Sequence, residues 1–223
     1  MTRPPKHPAD DEISEEEMMP EAEFRKGWFV LFLAGLAGLI GATAFVIGRG
    51  LAGWELSLFR FINNWPDSLR PFFLAATIVP HSLWIGVAAV AVTFLLKMYR
   101  LSWQLAAGIL AAAAAVTMGK HFIDRLRPEG LADNVYVRIH EAGNGFPSGH
   151  TTIITVVVLT LWPYLPRGWR WLVFLLIPAM ALSRVYLGVH SPLDVVAGFA
   201  LGATVVAGLR VLPAAVRHFF RFD

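Results

Sequence analysis

The chain has no cysteine, which excludes disulfides, thiolate metal sites and thiol redox chemistry. It is also short of charge. Only 16% of its 223 residues are Asp, Glu, Lys or Arg, against 56% hydrophobic. A soluble domain of this length seldom shows that ratio, and the mean hydropathy of +0.57 points to a membrane. The formal net charge of +3 is small and its cations are scattered, so nucleic-acid binding is not indicated. Acids are scarcest of all outside the first 26 residues. Asp10, Asp11, Glu12, Glu15, Glu16, Glu17, Glu21 and Glu23 are eight of the sixteen in the chain. With prolines at 4, 5, 8 and 20 around them, residues 1–26 read as a disordered acidic tail.

What is abundant is long apolar sequence. A bilayer-crossing helix needs about 20 mostly apolar residues, and six runs suit that role: Gly27–Ile47, Ser82–Met98, Trp103–Ile123, Thr151–Leu165, Trp169–Tyr186 and Leu193–Leu212. Between the first two, Gly48–Arg70 mixes Trp54, Phe59, Phe61 and Trp65 with Glu55, Arg60 and Asp67, the composition of an interfacial helix. Pro71–Pro80 is apolar but too short to cross. The expected fold is all-α: a polytopic bundle of six transmembrane helices over 27–212, one interfacial helix after the first span, and a short basic tail over 213–223. Gly35, Gly38 and Gly41 on the first span read as a close-packing face, with self-association into a homo-oligomer as one use.

Six spans put both ends of the sequence on one side. That side collects eleven of the nineteen Lys and Arg residues, against eight on the other. By the positive-inside tendency the termini are expected in the cytoplasm and the opposite face outward, as in a bacterial inner membrane.

Three polar clusters interrupt the apolar chain, and the six-span layout brings all of them to that outer face. The first runs from Lys120 to Pro128 and includes Arg127. The second is Pro147-Ser148-Gly149-His150. The third runs from Ser183-Arg184 to His190 and Asp194. Lys120, Arg127 and Arg184 are three cations that would repel one another. Each costs about 2.5–3.5 kcal/mol at a helix centre, less near the headgroups, and a bound dianion would compensate all three. Arginine forks suit phosphate oxygens. Ser148 and the amide of Gly149 stand where the fourth span should begin, in position to donate to an anion. His190 and Asp194 are four residues apart, so the carboxylate can fix the imidazole tautomer and leave the other nitrogen to attack. His150 is a second imidazole for acid catalysis.

The pattern Lys-x6-Arg-Pro, Pro-Ser-Gly-His, Ser-Arg-x5-His-x3-Asp resembles that of the phosphatidic acid phosphatase type 2 superfamily. The resemblance implies a lipid phosphatase without cofactor or metal, working through a phosphohistidine. It implies that Lys120, Arg127, Arg184, Ser148 and Gly149 hold phosphate, that His150 protonates the leaving oxygen, and that His190 is the nucleophile oriented by Asp194. Pro128, Pro147 and Ser183 belong to the motifs in supporting roles. Undecaprenyl diphosphate is the favoured substrate. Phosphatidate or phosphatidylglycerophosphate hydrolysis and headgroup phosphotransfer are alternatives, and a non-catalytic lipid-binding or transport protein is the remote one.

Bland readings stand beside these. Ser148 can be a helix cap, Ser191 to Asp194 fits a capping box, and the cations can snorkel. Asp124 can pair with Lys120 or Arg127. His121, His140, His150 and His190 lack helical ligand spacing, and the surrounding cations oppose a metal.

Overall fold

A computed structural model describes residues 21–51, 53–75 and 82–219, with side chains described over 26–51, 53–75 and 83–211. Among the described residues the chain is all-helical. In order the helices are α1 (Glu21–Val46), α2 (Gly53–Asn63), α3 (Arg70–Ala75), α4 (Ser82–Leu95), α5 (Tyr99–Ile123), α6 (Pro128–Leu131), α7 (Gly149–Leu161), α8 (Arg167–Phe174), α9 (Leu176–Tyr186) and α10 (Pro192–Phe219). Residues 1–20 of the expected acidic tail and residues 76–80 of the short apolar segment Pro71–Pro80 lie outside the described residues. Helix α1 begins at Glu21, inside the expected tail, and α10 continues through 213–219, where a tail was expected.

Among the described residues, four helical stretches are long and apolar enough to cross a membrane: Lys26–Val46, Tyr99–Leu131, Arg167–Tyr186 and Pro192–Val211. The other two expected spans are shorter helices, α4 of 14 residues and α7 of 13. For α7 the reason is its place. Every residue from His150 to Thr160 is buried, so the helix is wrapped by its neighbours and needs no lipid-facing length. The fifth span is divided at Leu175. Pro178 has no N–H to give the carbonyl of Phe174, and its ring crowds that carbonyl. Many large side chains point outward, among them Phe29, Val30, Ile40, Trp84, Leu110 and Leu176. Such a surface suits acyl chains rather than water.

The bundle is built on α7 and α10. Gly198 and Gly202 let α10 lie against α7. A Cβ at Gly198 would sit 2.6 Å from the carbonyl oxygen of Ser148, and one at Gly202 would sit 2.7 Å from Thr155 Cβ. On its other side α10 meets α1, where a Cβ at Gly35 would come 2.6 Å from Thr204 Oγ1. Gly35 and Gly38 are therefore used within the chain, while Gly41 is open. Ala42 and Val46 pack with Leu193 and Ala197 at one end, while Arg210 covers the Trp28 ring at the other. Hence α1 and α10 run antiparallel. The end of α5 and the starts of α7 and α10 then meet at one pole of the bundle.

Candidate active site

At that pole lies a cavity of about 470 Å³. Lys120 from the last turn of α5, Arg127 at the mouth of α6, Gly149 and His150 from the start of α7, and His190 from the turn before α10 all line it. So do Glu141 and Ala142 of the 132–148 loop. Leu83, Ala113, Val116 and Ile153 form an apolar wall.

Local structure explains the placing of each group. Just past the end of α9 stands Gly188, whose φ of +79° is the left-handed conformation that glycine adopts without penalty. No side chain would fit there, since a Cβ would meet the Tyr136 carbonyl oxygen at 2.5 Å. The turn delivers His190, whose N–H, like that of Val189, reaches back to the Arg184 carbonyl. Helix α10 then starts with Pro192 in its first turn. The Asp194 carboxylate accepts from the Ser191 N–H at 2.7 Å, which is the carboxylate half of a capping box. The same oxygen lies 3.7 Å from His190 Nδ1. That exceeds hydrogen-bond range, and Nδ1 is buried with no partner. A ring shift of less than an ångström would make the bond. Burial, first, lowers the His190 pKa to about 4, so the imidazole is neutral at pH 7.

Arg127 is held rigidly. Its Nε donates to the Gly143 carbonyl, Nη1 to that of Val189 and Nη2 to that of Ala142. Lys120 is half-buried. Arg184 and Asp194 are almost fully buried and stand behind the cavity wall rather than on it. Ser148 stands at the N-cap of α7. It is fully buried, makes no side-chain cap bond, and its hydroxyl receives the Thr151 hydroxyl at 3.1 Å. Its backbone N–H bonds the Asp194 carbonyl and so ties α7 to α10. Ser183 faces away and donates to the Phe73 carbonyl. Pro147 packs on Gly119, where a Cβ would fall 2.7 Å from its ring. Pro128 occupies the first turn of α6. Asp124 pairs with neither Lys120 nor Arg127. It adopts the left-handed conformation that ends α5 and accepts from Asn144.

Several residues of the site escaped the sequence. Arg125 donates to Asp194 Oδ1 at 2.8 Å, to Ser191 Oγ at 2.6 Å, and through both terminal nitrogens to Glu55. Glu55 also accepts the Leu193 N–H at the start of α10. The α2 helix is therefore more than interfacial: it sends a fully buried carboxylate into the core. A signal existed in the spacing Glu55, Phe59, Ile62, Asn63, which is one helical face. Asn63 and Arg138 clamp the 132–148 loop to the end of α9 through the carbonyls of Tyr136 and Tyr186. Glu141 reaches both Arg184 and Arg127. Burial alone would raise its pKa, but the adjoining Arg184 charge brings it down to about 2. Among the described residues, no three His, Asp or Glu side chains are gathered as a metal site.

Comparison with known proteins places this geometry. The model of the PAP2 superfamily matches residues 101–217. An undecaprenyl-diphosphatase of Sulfolobus acidocaldarius is 28% identical over 162 residues, 71% of this chain and 78% of that protein. A decaprenylphosphoryl-5-phosphoribose phosphatase of Mycobacterium tuberculosis is 41% identical over 111 residues, 48% of this chain and 59% of its own length. The crystal structure of Aquifex aeolicus LpxE superposes with a TM-score of 0.65 at 25% identity, covering 73% of this chain and 96% of that one.

Proposed function

Because the chain belongs to the PAP2 superfamily, a family of membrane lipid phosphatases, we propose that its cavity takes the terminal phosphoryl group from a lipid phosphate or diphosphate. The route is a phosphohistidine, formed without a metal. The observation that carries this reading is the two-sided cavity. Lys120, Arg127, His150 and His190 face an apolar wall of Leu83, Ala113, Val116 and Ile153, a match to a charged headgroup on a hydrocarbon tail.

In this mechanism a neutral His190 ring nitrogen attacks the terminal phosphorus while Asp194 receives the proton-bearing side of the ring. The bond from phosphorus to the lipid oxygen breaks, and His150 gives that oxygen a proton. Water then attacks the phosphohistidine, returns a proton to His150 and frees inorganic phosphate. Lys120, Arg127, Arg184 and the Gly149 amide stabilise the equatorial charge. Ser148 acts through the backbone, holding the start of α7 against α10.

The favoured substrate is undecaprenyl diphosphate, the substrate in the name of the Sulfolobus relative. Helix direction supports a site facing outward, since Arg100, Arg167, Arg170 and Arg210 lie on elements at the pole opposite the cavity. A bacterial inner membrane fits that arrangement. The test is phosphate release in detergent from a panel of undecaprenyl diphosphate, phosphatidate, phosphatidylglycerophosphate and an isoprenoid phosphosugar. Fastest release from the first is expected, persisting in EDTA and suppressed by orthovanadate. Loss of activity in EDTA, or fastest release from a glycerolipid, would overturn the corresponding part.

His150 has its own test. His150→Ala should slow hydrolysis of the lipid by about 10²–10⁴-fold, and far less for an aryl phosphate whose leaving group needs no proton. Equal losses on both substrates would contradict its role as acid.

A further inference from the structure

Among the described residues lining the cavity, Glu141 is the only acid. Its Oε1 makes a close contact with Arg184 Nη2, and its Oε2 lies 3.3 Å from Arg127 Nη2. One carboxylate thus bridges two of the three cations that phosphate needs, through the same guanidinium edges a phosphoryl group would use. Arg184 is 1% exposed, and Glu141 stands between it and the cavity. A phosphate entering the site cannot reach Arg184 while Glu141 is seated.

The loop itself is pinned. The carbonyls of Ala142 and Gly143 accept from Arg127, Asn144 donates to the Lys120 carbonyl, and Arg138 is bonded to Asn63 and Tyr186. The Glu141 side chain, by contrast, is 23% exposed and lines the cavity.

We propose that Glu141 is a resident counter-ion that the phosphoryl group displaces from Arg184 and Arg127, and that returns after turnover to expel inorganic phosphate. It is a positioning residue that sets anion affinity through the two arginines. Seated, it neutralises cations that would otherwise repel one another in a buried site. Displaced, it leaves them to the substrate. No covalent bond changes in this exchange and no proton moves. The inference rests on the reading of the cavity as a phosphate site.

The test uses the full-length protein in detergent and calorimetric titration with inorganic phosphate, alongside steady-state kinetics. Because Glu141 competes with the ligand, Glu141→Gln and Glu141→Ala should each bind phosphate at least about tenfold tighter, given the strength of charge-assisted bonds. kcat should fall as release slows, and KM should fall with it. Glu141→Asp should return the phosphate Kd toward wild type. A side chain that merely braces the arginines predicts the opposite sign. An unchanged or weakened phosphate Kd in both variants would overturn the proposal. Calorimetry needs no turnover, so the two readings separate. A wild type that hydrolyses lipid phosphates while Glu141→Gln leaves Kd unchanged refutes this inference alone. An inactive wild type whose phosphate affinity rises in Glu141→Gln refutes the phosphatase reading and retains the counter-ion.

Discussion

His190→Ala should reduce phosphate release by at least about 10⁴-fold, because it removes the atom that accepts the phosphoryl group. The protein should remain folded, since the ring makes no hydrogen bond through Nδ1 in the resting site. The pH profile gives the same group a second signature. Burial lowers its pKa to about 4, with Arg184 and Arg127 adding to the effect against the pull of Asp194. Protonation removes the attacking lone pair, so the contribution of His190 to kcat/KM is complete above pH 6 and lost as pH falls through about 4. An unperturbed histidine would lose it near 6.5. Release measured from pH 3.5 to 8, with the separately titrated ionisation of the substrate phosphate factored out of the profile, checks this. An acid limb near 6.5 would contradict the burial argument.

The second large effect concerns stability as much as activity. Arg125 sits between Glu55 and Asp194, and all three are buried. Arg125→Ala would leave two carboxylates in the core without a cation. Breaking such a group by deleting one partner costs about 3–5 kcal/mol. Asp194 would also lose the bond that fixes Oδ1, so it could no longer hold His190 in register. The expected result is a fall in midpoint on thermal unfolding in detergent, with a loss of kcat that exceeds the change in KM. Arg125→Lys should recover part of the stability but little of the activity, because an ammonium cannot fork between Glu55 and Asp194. Pairing Arg125→Met with Glu55→Gln should recover stability beyond Arg125→Ala, since one of the stranded charges is gone. If Arg125→Ala unfolds at the wild-type midpoint, the network is not the brace described.

These two predictions divide along what a sequence can show. His190 and Asp194 are four residues apart, and Lys120 and Arg127 seven, so their relation is local and legible as spacing. Arg125 and Glu55 are 70 residues apart. No spacing links them, and an arginine two places before Arg127 is overshadowed by its neighbour. Glu141 lay in a loop of no periodicity, where nothing local distinguishes a cavity residue from a solvated one. The fourth span, read as 151–165, coincides with α7 and the short turn after it over 149–164; what hydropathy does not show is that this helix is surrounded on every side. A helix buried on every side can be short. The break between α8 and α9 was legible in Pro178, and the apolar run on both sides concealed it. Ser148 was legible as a motif residue at the start of α7, but the bond from its backbone N–H to the Asp194 carbonyl was not, because it joins two distant parts of the chain.

The central claim is that His190 becomes phosphorylated. Wild-type protein mixed with lipid diphosphate labelled at the terminal phosphorus, quenched within one turnover and digested, should carry label on the peptide containing His190. As a phosphoramidate it should survive alkali and be lost in mild acid. Label on any other residue, or rapid hydrolysis with none retained on the protein at any quench time, would contradict it.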